Sequence, residues 1–165
     1  MRCACCVAVV LLGWGPLLPA AGQNGNGPAL TPTLMFADQQ SVQRAVYLAL
    51  AKLARPSCAA IFEEFLLPDG RSAQSELDRR GMGPQEFVQS LLFVDGRRAT
   101  ACQDGGSVLI TTPGSLLIRV CPGFAQVGSR LSATLVIHEA LHALGLGENP
   151  PSSRDITDRV NRRCW

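Results

Sequence analysis

Aromatic rings make up only 5% of this 165-residue chain, and Tyr47 is its single tyrosine. Single-stranded nucleic acids are held on platforms of stacked aromatics, so that function is disfavoured. A surplus of one charge is missing as well. Fifteen basic and 13 acidic side chains leave a formal net charge of +2, without the strong basic patch that marks a nucleic-acid partner. Lysine is nearly absent, with Lys52 alone among the arginines. No apolar run reaches the roughly 20 residues of a membrane-spanning helix. No pair among Cys58, Cys102, Cys121 and Cys164 has the C-x-x-C spacing of a thiolate zinc site. Neither a phosphate loop nor a dinucleotide fingerprint occurs. Histidine appears twice, as His138 and His142. Both fall in one motif, so none is spare to activate a serine or cysteine nucleophile.

What is present is a chain that can bury a core. Hydrophobic residues make up 47% of it and charged ones 17%, which argues against intrinsic disorder. Residues 1–22 have the order of a secretory signal. Arg2 is the only charge there, residues 7–18 are mostly apolar, and Ala20-Ala21-Gly22 is a small-residue cleavage region. Residues 23–33 (QNGNGPALTPT) read as a flexible leader, and residues 34–165 as one domain. The expected location is outside the cytoplasm, secreted or periplasmic, with no membrane attachment after cleavage.

Cysteine usage agrees with export. Cys3, Cys5 and Cys6 fall in the signal; Cys58, Cys102, Cys121 and Cys164 remain. Four cysteines in an exported chain read as two disulfides, with three connectivities open. The expected pairing is Cys58–Cys102 with Cys121–Cys164. Cys102–Cys121, which would close the hairpin alone, is the main rival.

Apolar spacing predicts helices over residues 38–54, 57–67, 74–80 and 84–93. Two β-prone runs follow, 107–112 (SVLITT) and 116–121 (LLIRVC). Pro113-Gly114-Ser115 between them makes a hairpin the natural reading. A long helix is expected from 130 to 144, ended by Gly145 in a left-handed cap. Ser152 and Asp155 resemble a capping box opening a last helix over 154–163.

The chemistry lies in that long helix. His138, Glu139 and His142 form H-E-x-x-H. Residues four apart share one helix face, so both imidazoles can reach one Zn²⁺. Glu139, rotated by about 100°, can act as general base on a water beside the metal. Between Leu131 and Gly147 these three are the only ionisable residues. A helix that apolar is buried on nearly all sides, where two imidazoles and a carboxylate need partners.

His138-Glu139-Ala140-Leu141-His142 resembles the active-site helix of zincin metallopeptidases. With Gly145 and Glu148 the pattern extends to H-E-x-x-H-x-x-G-x-x-E, similar to metzincins. It departs from them in having Glu148 where they use His or Asp. The methionine turn is absent, since Met1, Met35 and Met82 all precede the motif. The tail from Leu131 to Cys164 looks like a group of small exported bacterial zincin-like proteins. The resemblance implies an α+β, zincin-like fold, with a helical N-terminal half, a small sheet and the motif helix beneath its edge. It implies zinc-dependent peptide-bond hydrolysis, with Zn²⁺ on His138, His142 and Glu148, Glu139 as base, and a peptide or protein as substrate.

Glu148 leads as third ligand because the turn at Gly145 can swing it back to the metal. Asp155 on the last helix is the alternative, although an acid in a first turn is often only a cap. Asp158 is weaker still. Either hairpin strand could take an extended peptide by strand addition. No histidine is spare as oxyanion stabiliser and Tyr47 lies far upstream; Arg154 is conceivable in that role. The rival reading is a non-catalytic exported module with a structural metal. It would have four protein ligands, whereas a catalytic site keeps one position open.

Overall fold

The computed structural model describes residues 27–165. The signal and the first residues of the leader lie outside the described residues. The fold is α+β: helices around a small mixed sheet.

Helix α1 (Phe36–Leu53) buries a stripe of Val42, Ala45, Val46, Ala49 and Leu53. That 3.6-residue spacing gives it one apolar face. It packs along α7 (Ser129–Ala143), the motif helix. Helix α7 buries every residue from Val136 to Ala143, apolar and polar alike. Between these two run α2 (Pro56–Ala59), α3 (Ile61–Glu64), α4 (Ala73–Arg80) and α5 (Pro84–Gln89). The single helix expected over 57–67 is thus two short ones. Beyond them Leu66 bridges Ser72 to close a turn.

The sheet holds β1 (Ala29–Leu30), β2 (Leu92–Asp95), β3 (Leu109–Thr111) and β4 (Leu117–Val120) in the order β1-β2-β4-β3. Strand β2 pairs in parallel with both β1 and β4, Phe93 lying opposite Leu30 and Ile118. Strands β3 and β4 form the expected antiparallel hairpin, Ile110 opposite Arg119. Two expectations need correcting here. Phe93 is in a strand, not at the end of a helix; a short apolar run such as Leu91-Leu92-Phe93-Val94 suits either state until a partner strand claims it. Residues 29–33, read as leader, join the fold: β1 pairs with β2, and Thr31 donates to the Phe93 carbonyl at 3.1 Å.

The disulfides differ from the expected pairing. Cys58 is bonded to Cys164, and Cys102 to Cys121. Helix α2 and the end of α8 (Ser153–Cys164) meet in space, a proximity across 106 residues that spacing along the chain does not reveal. In the chain-entropy model a loop of that length is worth about 5 kcal/mol, and the 19-residue one about 3 kcal/mol. The shorter bridge joins α6 (Thr100–Gln103) to the end of β4. It packs against Gly96, where a Cβ would lie 2.7 Å from Cys102 Sγ and 2.9 Å from the Val120 carbonyl. Only glycine fits that approach. Two disulfides suit an oxidising compartment. No single helix among the described residues is long and apolar enough to cross a membrane.

Candidate metal centre

The site begins with the end of α7. Gly145 takes φ 112° directly after the C-cap Leu144. Its N–H donates to the His142 carbonyl, and the Leu146 N–H donates to the Leu141 carbonyl. These two bonds are the Schellman pair, which satisfies orphan carbonyls and reverses the chain. Leu146, 1% exposed, anchors the turn in the core. The reversal carries Glu148 back over the helix face it has just left.

His138, His142 and Glu148 then form a group that could hold a metal ion. The two Nε2 atoms lie 2.9 Å apart. Glu148 Oε1 is 3.3 Å from His142 Nε2 and 4.0 Å from His138 Nε2. A tetrahedral zinc with ligands at about 2.0–2.2 Å has ligand–ligand edges of about 3.3–3.6 Å, close to this triangle. Among the described residues no other group of three or more His, Cys, Asp or Glu side chains comes together in this way.

The rings are oriented from behind. His142 Nδ1 meets the Leu146 carbonyl at 2.7 Å. A carbonyl only accepts, so the neutral ring carries its proton on Nδ1 and leaves Nε2 as a bare lone pair; the tautomer is assigned from this partner. His138 Nδ1 meets Thr157 Oγ1 at 3.0 Å, a hydroxyl that serves either tautomer. Burial, and then the neighbouring His142, push the His138 imidazole down to about 3. It is therefore neutral at physiological pH, as a metal ligand must be. Two imidazole nitrogens and a carboxyl oxygen are a donor set that suits a borderline divalent ion such as zinc.

Thr157 reaches His138 because α8 is fixed to α7. Its Ile156, Val160 and Cys164 are buried, and its end is tied by the Cys58 bridge. Thr134 Oγ1 accepts from Trp165 Nε1 at 2.9 Å and bonds Asn161 Oδ1 at 3.1 Å. A Thr one place after an apolar helix position carries no signal in the sequence. Nor does a backbone carbonyl, so neither partner of the imidazoles was legible there.

Glu139 is 5% exposed and stays apart from the triad, as its rotation on the helix requires. Burial pushes its carboxyl up to about 7, opposed first by the Thr111 hydroxyl and then by His142. Yet the contact with Thr111 falls short of a full hydrogen bond: Thr111 Oγ1 and Glu139 Oε2 are each buried without a partner. Thr111 lies on β3, the outer strand of the sheet, and was not singled out in the sequence. The hairpin it belongs to is tied to the motif helix, since the Gly114 N–H donates to the His142 carbonyl at 2.9 Å.

These groups line a cleft of about 350 Å³ with Ile110, Pro113 and Ser153 among its walls. No cation lines it. Arg154 is 90% exposed and faces Asp158 at 3.8 Å, away from the cleft. Asp155 accepts from the Ser152 hydroxyl at 2.6 Å and closes the expected capping box. The structure brings His138, His142 and Glu148 together and leaves Asp155 and Asp158 outside.

No protein-family model, no curated protein and no solved structure matches this chain.

Proposed function

We propose that the chain is a zinc-dependent peptidase of zincin type acting outside the cytoplasm. The likeness to zincins rests on the motif residues themselves. The observation that carries the reading is the split between the four ionisable side chains of one cleft. Three offer lone pairs to a common point, while the fourth, Glu139, is buried beside them and held out of that set.

His138, His142 and Glu148 would hold the ion. When bound, zinc supplies a Lewis acid that polarises a carbonyl and makes a neighbouring water more acidic. Glu139 takes a proton at its carboxylate and gives it up again to the leaving amine. A carboxyl poised near 7 suits both directions at neutral pH. The apolar walls at Ile110 and Pro113 exclude water from around it. Strand β3 receives the substrate. The Cys121 N–H bonds the Val108 carbonyl, and the register alternates from there. Leu109 and Thr111 therefore turn their backbone groups away from β4, toward an added strand.

A structural metal would call for a fourth protein ligand. The described residues offer none at the triad, and Asp155 is spent in its cap. This favours the catalytic reading over the structural one.

The test is to load the protein with zinc and incubate it with fluorescein-labelled casein. Cleavage that is abolished by chelation and restored by zinc supports the reading. Zinc-loaded protein that leaves casein and a quenched peptide library intact overturns it.

A further inference from the structure

Only two buried side-chain oxygens or nitrogens among the described residues lack a hydrogen-bond partner, Thr111 Oγ1 and Glu139 Oε2. They belong to the same cleft. Each orphan is costly, because a buried donor or acceptor without a partner loses its hydration with nothing in return. Their coincidence has a simple resolution. One is a hydroxyl that needs an acceptor; the other is a carboxylate oxygen that needs a donor.

The fold holds the two elements in place. Thr111 is paired with Ile118 across the hairpin. The side chains of Leu109 and Thr111 are buried, with Ile110 between them half-buried on the other face. The turn of that hairpin is bonded to the motif helix through Gly114 and His142.

We propose that Thr111 is the positioning residue for Glu139. Its hydroxyl donates to Glu139 Oε2, anchors the buried oxygen to the outer strand and leaves Oε1 to face the cleft. No bond to carbon changes, and the proton stays on the threonine. Because β3 also receives the substrate, the strand that binds the peptide sets the orientation of the base. That consequence rests on the peptidase reading; the contact between the two side chains does not.

Two measurements test it, one without metal and one with. In the metal-free protein, urea unfolding of Thr111→Val, Glu139→Ala and the double variant closes a double-mutant cycle. Valine keeps the shape of threonine and removes the hydroxyl. With Glu139 present, Thr111→Val should shift the unfolding constant by roughly fivefold or more toward the unfolded state. In the Glu139→Ala background the shift should be under about twofold. Additive effects, or a stabilised Thr111→Val protein, overturn the contact, since residues that touch couple and residues that do not are additive. In the zinc-loaded protein, with a quenched peptide that the wild type cuts, Thr111→Val should lower kcat by about tenfold. KM and zinc content should be unchanged, and Thr111→Ser should restore most of kcat. Full kcat in Thr111→Val, or loss in Thr111→Ser equal to that in Thr111→Val, overturns the positioning role. A wild-type protein that cuts no peptide removes the peptidase reading and leaves the cycle to decide the contact.

Discussion

Two glutamates of this protein are buried to the same degree and treated in opposite ways. Glu76 on α4 is 4% exposed and Glu139 on α7 is 5% exposed. Arg79 and Arg80 hold Glu76 at 2.7 and 2.8 Å, and Arg71 adds a longer contact at 3.3 Å. Those bonds outweigh burial and hold its carboxyl down to about 2. Glu139 has no cation, its Oε2 has no partner, and burial pushes it up to about 7. Low exposure alone does not set the behaviour of an acid; the groups that cover it do, partly exposed arginines over Glu76 and the interior of the fold over Glu139. Glu76 ties α4 to the turn before it and serves stability. Glu139 is left in an expensive state, the kind of environment that the proposed role as a base requires.

The comparison is sharpest at Glu139 itself. Glu139→Gln keeps the shape and removes the basicity, so peptide hydrolysis should fall by ~10²–10⁴-fold. Zinc content should stay the same. The metal-free protein should be no less stable in urea than the wild type, because a neutral amide is easier to bury than a carboxylate and its oxygen still accepts from a hydroxyl. Loss of metal in this variant would make Glu139 a ligand and break the comparison.

A step back from the reacting groups, Thr157→Val removes the hydroxyl behind His138. Partners of this kind typically matter by 10–100-fold in metal affinity. Competition with a chromophoric chelator measures it. Unchanged affinity would mean that packing alone orients the ring.

Glu76 should respond in stability and not in zinc binding. Glu76→Gln should cost about 1–2 kcal/mol of unfolding free energy. The modest size reflects arginines that are themselves 26% to 62% exposed and screened by water. The pH dependence has a definite sign. The folded value of about 2 lies below the ordinary 4.5, so folding favours the ionised form. The contribution is complete above about pH 4.5 and is lost as pH falls from there toward 2. The wild type should lose stability over that window, and Glu76→Gln should lose less. Equal acid limbs would contradict the role given to the arginines. The smallest effect should be that of Arg71→Ala, a half-exposed partner at 3.3 Å. Its unfolding midpoint in the same urea titration should move less than that of Glu76→Gln.

The sequence reaches quite different depths in these two regions. The motif helix, its end at Gly145 and the cap at Ser152 and Asp155 were legible because each depends on neighbours in the chain. His138 and His142 follow from helical spacing alone, and Glu148 from the glycine that turns it back. The partners of those groups were not legible. Thr111, Thr157 and the Leu146 carbonyl come from three different elements, and nothing in their local pattern marks them. The same limit explains the disulfides. Cys58 and Cys164 are 106 residues apart, and only the docking of α8 beside α2 brings them together. It also explains Phe93, which packs as a strand because β1 and β4 lie on either side of it. The arginine cage of Glu76 is intermediate. Its i+3 and i+4 partners are written in the helix, but its burial is not.

The most direct measurement of the central claim is zinc retention in paired variants. Dialysed wild-type protein should carry about one zinc per chain by elemental analysis. In chelator competition Glu148→Ala should bind zinc far more weakly than wild type, while Asp155→Ala should stay close to it, because Asp155 is bonded to Ser152 and turned from the cluster. A protein that neither carries nor takes up zinc, or one in which Asp155→Ala loses the metal and Glu148→Ala keeps it, would contradict the account.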